Sequence, residues 1–110
     1  MPGSNDAAEE TKWDVRSSPR LNSRIAVAVE WSDGRETLHK EGYTVNVGRS
    51  GCLLVIPQDL RVEQRVRITN LANKQSLEAV IAWKGEQGPN GWELGVQLIN
   101  TGIDFWGLEL

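Results

Sequence analysis

One cysteine, one histidine and one methionine in 110 residues leave little material for thiol, imidazole or soft-ligand chemistry. With Cys52 alone, no internal disulfide can close and no cysteine-based zinc site can assemble, and a reducing cytoplasm is the compartment that fits. Ser50, in Gly48-Arg49-Ser50, supplies half of a nucleophile elbow. Cys52 then stands where the elbow needs glycine, and the chain is too short for the hydrolase fold built around it. Asp59 and Glu63 would share a face of a helix, but nothing adds a third metal ligand. No spacing unites a nucleophile, an acid–base pair or a metal cluster, His39 included. No enzyme is therefore expected, with no catalytic residue, no metal and no cofactor.

Long apolar runs are also missing: nothing approaches the roughly 18–20 residues of a membrane span. Met1 to Glu10 is small, polar and acidic, the reverse of the basic-then-apolar order of a signal peptide. Nor is there a basic excess. Asp6, Glu9, Glu10 and Asp14 against Lys12 place the whole net charge of −3 in the first fifteen residues, and eleven residues of each sign follow. That balance argues against a nucleic-acid polymer as partner, and so against a single-stranded nucleic-acid barrel with a basic groove.

What remains reads as one all-β domain. Residues 1–15 lack periodicity and are expected to be a disordered acidic tail. Residues 16–24 are polar, broken by Pro19, and carry arginine at every fourth position; they read as an extended linker. From Ile25 the period is two, the mark of half-buried strands. Ile25, Val27, Val29 and Trp31 share a face, and Tyr43, Val45 and Val47 alternate with Thr44, Asn46 and Gly48. Cys52-Leu53-Leu54-Val55-Ile56 runs apolar to Pro57. Val66 and Ile68 share a face, as do Leu77, Ala79, Ile81 and Trp83, and then Trp92, Leu94, Val96 and Leu98. Ser32-Asp33-Gly34, Asn73-Lys74 and Gly88-Pro89-Asn90-Gly91 supply turns. Six or seven short strands without a long amphipathic helix predict an antiparallel barrel over residues 25–110. Trp31, Trp83 and Trp92 are assigned to its core, and the aromatic stretch Ile103 to Leu108, centred on Trp106, to a plug folded back over one mouth.

Two motifs stand in order on this frame. Arg20-Leu-Asn-Ser-Arg24 directly precedes the Ile25 strand, and Asn46-Val-Gly48-Arg-Ser-Gly51 spans a strand-to-strand turn. By themselves they are also what a solvated basic linker and an ordinary Asn/Gly turn show. Together, in register with the strand pattern, they resemble the PilZ family, with its RxxxR before the first strand and [D/N]xSxxG at a later β-turn. Arg20 and Arg24 match the arginines, Asn46 the Asp/Asn and Gly51 the closing glycine, while Gly48 stands in place of the motif serine. Arg16 and Arg20 form a second RxxxR pair; Arg24 abuts the strand, so Arg16 is taken as auxiliary.

The resemblance implies a small PilZ-like β-barrel that binds bacterial cyclic di-GMP. The expected site is Arg20, Arg24, Asn46, Gly48 and Gly51 with Arg16, the arginine linker ordering over the barrel on binding. Guanidinium groups suit such a ligand, because they fork onto phosphate oxygens and stack on or pair with guanine. Asn46 is expected to point outward, opposite Tyr43, Val45 and Val47, and Gly51 to permit a positive φ and close approach of ligand to backbone. The alternative implied by Gly48 is a degenerate PilZ domain that does not bind the nucleotide and works as an adaptor for an unidentified downstream protein.

Overall fold

A computed structural model describes residues 20–99 and 104–108. The acidic tail and Arg16 lie outside the described residues. Seven strands follow in order: β1 (Arg20–Leu21), β2 (Ala26–Ser32), β3 (Thr37–Gly48), β4 (Gly51–Ile56), β5 (Arg65–Asn70), β6 (Gln75–Gly88) and β7 (Gly91–Leu98). They hydrogen-bond in the order β1-β3-β2-β5-β6-β7-β4, and β4 pairs back onto β3. Every pairing is antiparallel. Six strands thus close a barrel, and β1 is an extra strand laid on the end of β3. The all-β barrel expected from the sequence is the fold.

Closure depends on β3, which pairs with β2 along Thr37–Tyr43 and with β4 along Tyr43–Gly48. The crossing is tight at Gly42, where an added Cβ would lie 2.0 Å from the Val55 carbonyl oxygen. Only glycine fits there. The inward residues Val27, Val29, Leu54, Ile68, Ile81, Leu94 and Val96 are fully buried, each stabilising the fold by about 1.5–3 kcal/mol relative to exposure. At the far mouth, Leu60 from the β4–β5 connection joins this core.

The near mouth gathers the start of β2 and the ends of β3, β5 and β7. Phe105 and Trp106 fill it, edge to face with centroids 4.7 Å apart. The Phe105 carbonyl accepts from Asn70 Nδ2 (3.0 Å) and Asn73 Nδ2 (3.2 Å), and Trp106 Nε1 donates to the Gly48 carbonyl (3.0 Å). The aromatic plug is present and its polar atoms have partners, as burial of an indole N–H requires.

Two irregularities correct the simple alternation. A bulge between Thr44 and Asn46 separates residues expected on one face. Thr44 turns in and is buried, Val45 is exposed, Val47 stays inside, and Tyr43, opposite Val55, is outside. A second bulge, between Ile81 and Trp83, sets Trp83 opposite Gly95 on the outer surface instead of in the core. Trp31 is a core residue as expected, and Trp92 is half-buried and packs against the core, with Lys84 Nζ 4.9 Å from its ring centroid.

Candidate functional site

The arginine-bearing segment is held against β3 by short-range pairing. Arg20 stands opposite Gly48 and Leu21 opposite Val47, so the first motif arginine lies beside the second motif. The chain after Leu21 is fastened by Thr44. Its buried hydroxyl donates to the Ser23 carbonyl (2.5 Å) and accepts from the Ile25 N–H (2.8 Å), while its own N–H donates to the Ile25 carbonyl (3.0 Å). A buried hydroxyl with both roles filled costs nothing in lost hydration and fixes the backbone on either side of Arg24.

Arg20 Nη1 donates to Asn46 Oδ1 at 2.5 Å, a contact across 26 residues of sequence. Burial draws the Arg20 pKa below its ordinary value, opposed by the nearby Cys52 sulfur; the guanidinium stays a cation. Arg24 is exposed, with its guanidinium carbon 3.8 Å from the Tyr43 ring centroid, a cation–π geometry. Asn46 is half-buried on the outer face, opposite Leu53 on β4, as alternation required. Gly48 and Gly51 face each other at the close of the β3–β4 hairpin, with Arg49 and Ser50 at its tip.

The structure therefore brings Arg20, Asn46, Gly48 and Gly51 together at one end of β3 and sets Arg24 a short way along the same strand, on Tyr43. Gly51 differs from expectation in one respect. The described glycines with positive φ are Gly34, Gly91 and Gly107, and Gly51 is an ordinary, buried strand residue. Its small size serves the tight hairpin pairing with Gly48, without a left-handed backbone.

Outside the barrel, two rows of paired residues run across the strands here. Tyr43, Val55 and Glu93 form one; Asn46, Leu53, Gly95 and Trp83 form the other. At about 4.8 Å between strands and 6–7 Å between alternate residues, they make a shelf roughly 14 Å by 7 Å. Leu53 and Val55 give it an apolar floor, and Gly95, opposite Trp83, is buried. Nothing in the strand pattern marks Tyr43, Trp83 or Glu93 as shelf residues. The bulges that turn Tyr43 and Trp83 outward break the period by which their facing was read. Thr44 was missed for the same reason.

The single thiol is buried and the single imidazole exposed. Burial pushes the Cys52 thiol up to about 12, so it is protonated and inert near neutrality. His39 is exposed opposite Glu30 on the far part of β3. Among the described residues, no three His, Cys, Asp or Glu side chains gather as a metal site, and no helix is long and apolar enough to cross a membrane.

A closed six-strand antiparallel barrel, with an extra arginine-bearing strand laid on β3 beside a glycine-closed hairpin, defines a small β-barrel module. The family model for the PilZ domain matches residues 14–105, and the chain belongs to that family. PilZ domains are a cyclic di-GMP receptor family of binding and adaptor modules. No curated protein matches the chain.

Proposed function

We propose that this chain is a cyclic di-GMP receptor of the bacterial cytoplasm, which passes the signal to a downstream protein by closing its N-terminal arginine segment over the bound ligand. The observation that carries this reading is the Arg20–Asn46 hydrogen bond. It joins the two halves of the motif, so one cation and one amide already face the same point on the barrel wall. A dianionic dinucleotide would take charge-assisted hydrogen bonds from Arg20 and a stacking or phosphate contact from Arg24. Asn46 Oδ1, now satisfied by Arg20, would exchange that partner for a guanine N–H. Arg16 would join from the segment ahead of β1. Each hydrogen bond to a charged group is worth about 1.5–3 kcal/mol, so Arg20→Ala and Arg24→Ala should each weaken binding by roughly ten- to a hundredfold or more. Calorimetric titration with cyclic di-GMP tests this directly; affinity unaffected by both substitutions would refute the site.

Gly48 favours a second reading. Where the family motif has a serine hydroxyl, this chain has none, and the Gly48 carbonyl is engaged by Trp106. A missing hydroxyl is worth about 0.5–3 kcal/mol, depending on the charge of its partner, which is roughly three- to a hundredfold in affinity. A domain so weakened would serve as a protein–protein adaptor without the nucleotide. Binding gained only by Gly48→Ser would select this second reading.

A further inference from the structure

Beyond Arg24, the row Tyr43–Val55–Glu93 leads into a groove of about 240 Å³ between the β3–β4 wall and the β6–β7 hairpin tip. That is below the ~300 Å³ at which sites for whole drug-sized ligands begin; it suits a single planar ring system. One side is the Tyr43 ring, under Arg24. The other is the hairpin tip, whose Asn90 Nδ2 donates to the Tyr43 hydroxyl at 3.1 Å and so bridges the groove. At its base stands Glu93, half-buried, without a hydrogen bond or ion pair among the described residues, its Oε1 near the edge of Trp83 over Gly85. Glu93 is the half-buried one of the two carboxylates that line the groove, Glu86 at the β6 end being exposed.

A carboxylate can only accept hydrogen bonds. Between an aromatic wall and an apolar floor, it therefore selects a flat ring that presents two adjacent donors on one edge. Guanine does this with N1–H and its 2-amino group. Adenine offers an acceptor at N1 beside its amino donor, and its N1 lone pair would face the carboxylate. The geometry points to Glu93 as the residue that specifies guanine, in a base pocket formed by Tyr43, Val55 and the β6–β7 hairpin. The pocket would seat one base of the dinucleotide, and the assignment rests on the receptor reading above. A polar site of this kind discriminates strongly, because the wrong base leaves the partner atoms of the site unpaired.

The test uses Glu93→Gln, which keeps shape but replaces one acceptor by a donor, and Asn90→Ala, which opens the hairpin side. Calorimetry compares cyclic di-GMP with cyclic di-AMP, and amide chemical shifts are followed with GMP and AMP as single-base probes. The parent should prefer guanine in both formats, with GMP shifting Val55, Asn90 and Glu93. Glu93→Gln should cut the guanine-over-adenine ratio about tenfold or more, within the fivefold to 150-fold expected of a bidentate base contact. An unchanged thermal unfolding midpoint in Glu93→Gln would separate this loss from misfolding. If cyclic di-GMP binds through Arg20 and Arg24 but Glu93→Gln leaves the base preference untouched, the pocket assignment is wrong and the receptor reading stands. If GMP alone shifts the pocket and Glu93→Gln abolishes it while the dinucleotide fails to bind, the pocket stands and the receptor reading falls. Binding of no nucleotide in either format would overturn both.

Discussion

The barrel wall has two unlike halves. On β2, β5 and the start of β6 the outward residues answer one another across the strands. Glu30 faces Arg67, which faces Glu78 at 3.0 Å, and Thr69 and Ser76 share a hydrogen bond of 2.7 Å. On β3, β4 and β7 the outward residues are Tyr43, Asn46, Leu53, Val55, Gly95 and Glu93: an apolar floor, a carboxylate with no partner among the described residues, and an amide held by an incoming arginine. The first half is a solvated wall on which an ion pair and a hydroxyl pair close across the strands. The second keeps partners in reserve, and both arginines of the motif lie over it. Where a barrel leaves its surface chemistry unfinished is where a ligand has something to complete.

The largest expected effect removes the second half altogether. Gly42→Ala would force β3 from β4 at the Val55 carbonyl; overpacking of this kind costs about 1–3 kcal/mol and occasionally more, read as a lowered urea midpoint. Next, Thr44→Val would strip the hydroxyl that fastens Ser23 and Ile25. It should cost about 1–3 kcal/mol in stability, because the partners beside it lose a buried bond, and should also weaken cyclic di-GMP binding by releasing Arg24. Smallest is a change to the other half. Arg67→Ala breaks an ion pair whose side chains are about half exposed. Such pairs contribute ~0–1 kcal/mol, so its unfolding midpoint and its ligand affinity should both stay near the parent's. A large loss of binding in Arg67→Ala would erase the distinction between the two halves.

Much of this was legible in the sequence because burial on one face imposes a period of two. Val27, Val29 and Trp31, or Leu94, Val96 and Leu98, announce their strands and their facing at once. Phe105 and Trp106 announced a plug because two large rings beside each other are costly in water. The motif residues were legible too, and Arg20, Asn46, Gly48 and Gly51 do meet. What escaped was set by single-residue events. One extra residue at Val45 and one at Ala82 turned Tyr43 and Trp83 outward, and a bulge leaves no mark in composition. Strand β1 escaped because two residues cannot show a period; Arg20–Leu21 read as linker until its pairing with Val47 and Gly48 was seen. Glu93 looked like any polar residue on an alternating strand, and only the groove around it sets it apart.

The central claim is that function resides on the β3–β4–β7 half of the wall, and amide chemical-shift mapping during titration with cyclic di-GMP tests it most directly. The account predicts shifts at Arg20–Arg24, Tyr43–Gly51, Leu53–Val55 and Glu93, with Ala28, Thr69 and Ser76 unmoved. Shifts centred on β2, β5 and the start of β6 instead, or none on either half at millimolar ligand, would contradict it.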